Sequence, residues 1–196
     1  MFMTSRRDGV NRSRPGIAKR QLGVSLIEVL VSVVIAAIGL LALAGVNATS
    51  VKYTKLSQYR GTATLLATDI GERMRANKVG ALTTNYKFDT TNFAAQVPLA
   101  AAPAKLCNAV GVICSSVELA AYDLYQWRRL VRSQLPSGSI YIDYQGAQLA
   151  YDVWVVWRDP AVSNDDENST AVRECPANLT VGADKSIRCS YFRVNL

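Results

Sequence analysis

The chain has 196 residues, a formal net charge of +7, no histidine, four cysteines and 49% hydrophobic residues. At that length one domain is the default, with room for a small sheet, a few helices and a core. Without histidine there is no Ser-His-Asp triad, no Cys-His pair, no His-liganded zinc and no histidine general base.

The charge is uneven. Residues 1–23 hold Arg6, Arg7, Arg12, Arg14, Lys19 and Arg20 against Asp8 alone, which makes that stretch +5 and leaves +2 for the rest. A body so close to neutral is no polyanion binder by composition, and no nucleic acid is expected as a partner. From Val24 to Val51 the only charge is Glu28. The charge-free run Val29 to Val51 is longer than the ~20 apolar residues a helix needs to cross a bilayer. The basic residues before it stay cytoplasmic, so the C-terminal part faces outward. A secretory signal peptide would have an apolar region of only ~7–15 residues and a small-x-small cleavage site. Ala42-Leu43-Ala44 matches such a site weakly. A twin-arginine reading of Arg6-Arg7 is weaker still, because the pair lies far from the apolar run and Asp8-Gly9 follows it.

Glu28 is the odd residue. A carboxylate inside an apolar membrane helix costs a few kcal/mol unless it is paired, which marks it for function. The plainer alternative is an interfacial acid favoured by the helix macrodipole. Gly39 and Gly45 lie in the same run and fit the glycine enrichment of membrane helices.

The string Gly23-Val24-Ser25-Leu26-Ile27-Glu28, followed by an unbroken apolar stretch, resembles the class III signal of type IV prepilins and pseudopilins. Leu22 stands where that family commonly has a polar or basic residue, and Val24 where it has Phe or Met. The resemblance implies that a prepilin peptidase cuts between Gly23 and Val24 and that Val24 is then N-methylated. Glu28 becomes the fifth residue of the mature chain. In a stack of such helices, it would neutralise the α-amine of a neighbouring subunit and set the register of assembly.

Beyond the run, Leu56, Tyr59, Ala63, Leu66, Ile70 and Arg73 recur at spacings of three and four, which predicts one buried helical stripe. Arg60, Asp69, Glu72, Arg73 and Arg75 form the wetter flank. One helix from about Val24 to about Asn77 is expected, apolar all round in its first half and amphipathic in its second. Residues 78–115 are rich in Ala, Thr and Asn and read as an irregular excursion. Ser115-Ser116-Val117-Glu118 predicts a capping box that opens a helix. Val117, Ala120, Ala121, Leu124, Trp127, Val131 and Leu135 form its expected apolar face. Arg128, Arg129 and Arg132 read as a solvated helix end that suits the dipole, before Leu135-Pro136-Ser137-Gly138 stops the helix.

The period then changes to two. Ile140, Ile142 and Tyr144 alternate, Gln145-Gly146-Ala147 turns the chain, and Tyr151, Val153, Val155 and Trp157 alternate in a second strand. The acidic loop holding Asp165, Asp166 and Glu167 lacks EF-hand spacing and reads as solvated, with calcium the lesser alternative. A last strand is expected over about Arg188 to Val194. Four cysteines in an exported domain imply disulfides and allow three pairings. The local pairs Cys107–Cys114 and Cys175–Cys189 are favoured, since each closes a short loop. Crossed pairs would tie the excursion to the last strand.

The segments Ile38-Gly39-Leu40-Leu41, Ala67 to Asn77, Ala121-Tyr122-Asp123-Leu124 with Gln126-Trp127, and Val153 to Asp159 together resemble the PilV family of type IV minor pilins. The fold expected is α+β, with a long N-terminal helix packed on a small antiparallel sheet. The expected segments are a leader (1–23), a membrane half of the helix (24–46), an amphipathic half (47–77) and an exported domain (78–196). The resemblance implies a low-abundance structural subunit that primes pilus assembly or caps the tip and supports twitching motility and adhesion. Its partners would be other major and minor pilins, prepilin peptidase, the inner-membrane assembly machinery and membrane lipid. It would start in the bacterial inner membrane, single-pass with a periplasmic C-terminal domain, and pass into the pilus. No catalytic residue, cofactor or metal is expected. Two other readings remain: a pseudopilin of a type II secretion system, and a membrane-anchored binding module or enzyme.

Overall fold

Leu26–Ala76 forms one α-helix, α1, in the computed structural model, which describes residues 23, 25–89, 92–96, 101–160, 162, 174–181 and 184–196. The chain divides into two units, Met1–Val46 and Asn47–Leu196. In the first, every described residue is exposed, including Leu26, Ile27, Leu30, Ile35 and Leu41. No proline interrupts this run, so the helix continues.

In the second unit α1 acquires one buried side, made by Ala63, Leu66, Ala67, Ile70, Gly71 and Met74. Ala63, Ala67 and Gly71 follow an i, i+4, i+8 ridge of small residues. That ridge lets a strand come close: a Cβ at Gly71 would lie 3.4 Å from a Val194 methyl. Asn77 ends the helix. Its side chain accepts from the Gly80 amide and so caps a second, five-residue helix, α2 (Lys78–Leu82).

The excursion after α1 is therefore more ordered than its composition suggests. It holds α2, a 3-10 turn at Ala94–Gln96, and the buried side chains Tyr86, Phe93 and Gln96. Alanine- and threonine-rich segments carry no period, and only tertiary packing picks out these three side chains.

Helix α3 spans Ser116–Gln134 with the expected capping box: the Glu118 amide donates to Ser115 Oγ, and the Ser115 amide donates to Glu118 Oε2. Its buried face differs from the expected one. Val117 and Ala121 are exposed, whereas Tyr122 and Asp123 are buried. The stripe facing the core is Ala120, Asp123, Trp127 and Val131, again at spacings of three and four. An acid occupies that stripe because its charge is matched there, which hydrophobicity alone cannot reveal. The arginines of the last turns also depart from expectation. Arg128 stacks on the Phe88 ring at 4.4 Å, and Arg132 donates to the Gln96 carbonyl; Arg129 alone of the three is exposed. The helix end clamps the preceding segment and is not simply solvated.

Gly138 turns α3 into the sheet, and no larger residue fits, since a Cβ there would lie 2.3 Å from the Val131 carbonyl oxygen. Three antiparallel strands follow in order β1 (Ser139–Gln145), β2 (Ala150–Arg158) and β3 (Ile187–Asn195). Central β2 is buried on both faces. One face carries Tyr151, Val153, Val155 and Trp157 into the main core with α1 and α3. The other carries Val156 into a smaller cluster with Phe93, Tyr141, Leu179, Ile187 and Cys189. At the outer edge of β1, Phe88 pairs antiparallel with Ile142. The Gln96 side-chain amide both donates to the Ile140 carbonyl (2.8 Å) and accepts from its N–H (3.1 Å), in place of a strand. An open edge is a template for unwanted pairing, and these two residues cover much of this one.

Candidate functional site

Gly23 is exposed and outside regular structure, and a Cβ there would touch nothing within 4 Å. The helix starts at Leu26, with the Ser25 carbonyl accepting from the Glu28 and Val29 amides at 3.0 and 3.3 Å. Glu28 thus sits in the first turn, where the unpaired amides favour a negative charge. It is exposed, and no described side chain bonds its carboxylate; the Ser32 hydroxyl bonds its backbone carbonyl instead. Val24, the other residue of the expected cleavage bond, lies outside the described residues, as does the acidic loop at 165–167. Helix α1 is long and apolar enough to cross a membrane, and none of its most apolar stretch is buried.

Two segments singled out by sequence meet in the second unit. Arg73 of α1 donates to Asp69 (3.0 Å), to Asp123 (3.3 Å) and to Gln126 (3.2 Å) of α3. The Tyr86 hydroxyl donates to the other Asp123 oxygen at 2.5 Å, and Asn77 bonds both the Tyr86 hydroxyl and the Ser116 carbonyl. Burial, and then the hydrogen bond to Asp123, push the Tyr86 phenol well above its ordinary range, so it stays a donor. Trp127 completes the junction by donating its indole N–H to the Leu66 carbonyl at 2.9 Å. The Arg-Met-Arg-Ala-Asn and Tyr-Asp-Leu-x-Gln-Trp segments are therefore two halves of one latch between α1 and α3. An open groove of about 650 Å³ lies beside it, lined by Arg73, Leu106, Asn108, Tyr125 and Arg129 among others. Since Arg73 is already bonded to three side chains, the junction serves to join helices. Sequence reasoning missed Tyr86; its only signal was being one of three aromatic residues, with Phe88 and Phe93, in an Ala/Thr/Asn-rich stretch.

On the far face of the sheet, Asp152 receives a two-pronged bond from Arg193 (2.8 and 3.0 Å) and a third from the Tyr191 hydroxyl (2.6 Å). Burial pushes its carboxyl up, but the Arg193 and Tyr191 bonds outweigh that and hold it below the usual carboxylate value. A lowered folded-state pKa means stability that is full above the unfolded value of about 3.9 and lost as pH falls through the folded one. Asp152→Asn is expected to lower the urea midpoint at pH 7. The gap from wild type should close as pH falls below 4. A gap that stays constant down to pH 2 would refute this linkage.

The four cysteines form two bridges, Cys107–Cys114 and Cys175–Cys189. The first staples a loop whose Val110 and Ile113 are exposed. The second joins buried Cys189 of β3 to the segment that covers the smaller cluster. Among the described residues no group of three or more acids or cysteines is placed to hold a metal ion.

A family model described as the prokaryotic N-terminal methylation motif matches residues 18–44. No curated protein and no solved structure matches the chain. The matched segment takes in Gly23, Glu28 and the first part of α1. Such a motif implies processing by a prepilin peptidase and assembly with other pilins, and it suits a structural subunit anchored in the inner membrane. The motif, with the apolar helix that starts within it and the α+β body that follows, indicates a type IV pilin-like protein, a class covering pilins and pseudopilins.

Proposed function

We propose that the chain is a minor pilin of the type IV pilus, similar to the PilV family, that primes assembly or caps the tip and supports twitching motility and adhesion. The observation that carries this reading is the first turn of α1: an exposed carboxylate five positions after Gly23, in a stretch that carries no other charge as far as Val51. Before assembly the helix is held in the inner membrane with the C-terminal unit on the periplasmic side. Cleavage after Gly23 frees the amine of Val24, which is then methylated. In the growing filament, Glu28 of one subunit neutralises the amine of another. In an apolar surrounding either charge alone is costly, so the pair fixes one axial register. The segments that resemble the PilV family support the pilus over a secretion apparatus.

The reading is tested at the N-terminus and in the filament. Mass spectrometry of the wild-type chain from its native membrane is expected to show a methylated N-terminus at Val24, and Gly23→Val is expected to leave the precursor uncut. Glu28→Ala should be cleaved and inserted normally, yet be missing from sheared pili and from crosslinks to other pilins. A wild-type chain that begins at Met1 or after Ala44 would sink the prepilin reading. Full incorporation of Glu28→Ala would sink the pairing role alone.

A further inference from the structure

The outward end of the apolar run carries an unexplained set of charges. Lys52 follows Val51 directly, Lys55 and Arg60 are the next charges, and α1 holds no acid between Glu28 and Asp69. Arg60 is paired with Glu174 at 2.8 Å. Lys52 and Lys55 are exposed and form no ion pair among the described residues. Between them, Tyr53 is 64% exposed, although a helix of a water-soluble unit normally buries its aromatic residues. All three lie within one turn of the end of the run. Placed there, basic and tyrosine side chains sit at the headgroup level of a bilayer, the ring among the upper acyl carbons and the charges at the phosphates.

The charge distribution sharpens the point. Before processing, the +5 leader lies on one side of the span and these three cations on the other, so the positive-inside bias still favours a cytoplasmic leader. Under the proposed cleavage after Gly23, every lysine and arginine on the cytoplasmic side is lost. The basic side chains left beside the span all lie on the outward side.

We propose that Lys52, Tyr53 and Lys55 form a headgroup collar that binds anionic phospholipid in the outward leaflet and holds the mature subunit there before assembly. The inference rests on the membrane-anchored reading. The phosphodiester of the lipid is the counter-ion these lysines lack within the fold. Tyr53 fixes their depth, and a zwitterionic lipid, which brings its own cation, competes poorly. Removal of the leader takes every basic side chain from the cytoplasmic end and leaves there the single α-amine of Val24, so the basic side chains that hold the helix lie at its outward end.

The test uses the full chain in sealed vesicles of phosphatidylcholine with a minority of phosphatidylglycerol, in which one lipid or the other carries a headgroup diazirine. After photolysis, lipid crosslinks on the peptide spanning Lys52–Tyr59 are counted by mass spectrometry, with crosslinks on the leader as internal control. A basic residue near an anionic surface strengthens attraction by about 1 kcal/mol, about five-fold, so two give about thirty-fold. The phosphatidylglycerol preference at the collar is expected to fall by up to that factor in the double variant Lys52→Gln/Lys55→Gln. It should return in Lys52→Arg/Lys55→Arg, with the leader crosslinks unchanged throughout. An unchanged preference in the glutamine variant overturns the collar. If protease added outside the vesicles digests residues 26–51, the chain does not span, and the anchored reading falls first and takes the collar with it. A protected span with no lipid preference defeats the collar alone.

Discussion

Trp127→Ala is expected to destabilise the residue 47–196 unit by about 3–5 kcal/mol, the range for deleting a fully buried large aromatic. Trp127 has no exposed surface and packs in the cluster formed by α1, α3 and the inner face of the sheet. Its indole also ties α3 to the Leu66 carbonyl of α1. The alanine variant leaves a cavity where the two helices meet and takes away the bond that sets their relative position. At about 2–4 °C per kcal/mol for a unit of this size, the melting temperature should drop by about 10 °C. Trp127→Phe keeps much of the volume and loses only the hydrogen bond and the remaining space, so it should fall between the two. Near-UV circular dichroism of the full chain in mild detergent, followed through thermal unfolding, reads both. A drop of less than about 1 kcal/mol for the alanine variant would mean that the helices are held together without this residue.

The second large effect concerns Cys175–Cys189. Replacing both cysteines with Ser is expected to cost about 3 kcal/mol in the chain-entropy model for a loop of this length. Location adds to this. Cys189 is buried opposite Val156, and Cys175 belongs to the segment that places Leu179 and Val181 over that side of the sheet. Freeing the segment exposes Val156, Ile187 and Tyr141, whereas Cys107–Cys114 closes a shorter loop with an exposed tip. The chain-entropy difference between the two loops is only about 0.5 kcal/mol. A clearly larger loss for the Cys175/Cys189 pair therefore measures what the bridge does for the smaller cluster. Chemical denaturation of both double-serine variants decides it. Equal losses would show that the covering segment stays in place without its bridge.

These effects separate what could be read along the chain from what could not. The long helix, the capping box at Ser115 and Glu118, the two-residue period of β1 and β2, and the last strand all follow from local patterns. The physics behind each acts over a few residues: helical and strand periodicity, a cap that satisfies the first free amides, a glycine that stops a helix. The α3 face was misread at Val117, Ala121 and Asp123 because pattern reading assigns an acid to solvent. Asp123 is inside because Arg73, fifty positions earlier, and Tyr86 meet it there. Arg128 and Arg132 were misread for the same reason: their partners, Phe88 and Gln96, lie in a segment with no period of its own.

The sequence by itself determined the N-terminal pattern: a basic stretch before Gly23, a lone acid at Glu28 and an apolar run long enough to span a bilayer. Such features need no folded partner to be legible, because charge and apolar length are local properties of the chain. Only the tertiary structure decided the body. It joined the Arg73 and Asp123 segments into one latch, gave Gln96 the place of a strand at the edge of β1, and assigned the two faces of β2 to different cores. Each depends on a hydrogen bond or a buried contact between residues far apart in sequence. Its worth is set by desolvation at the meeting point, which no window of sequence contains.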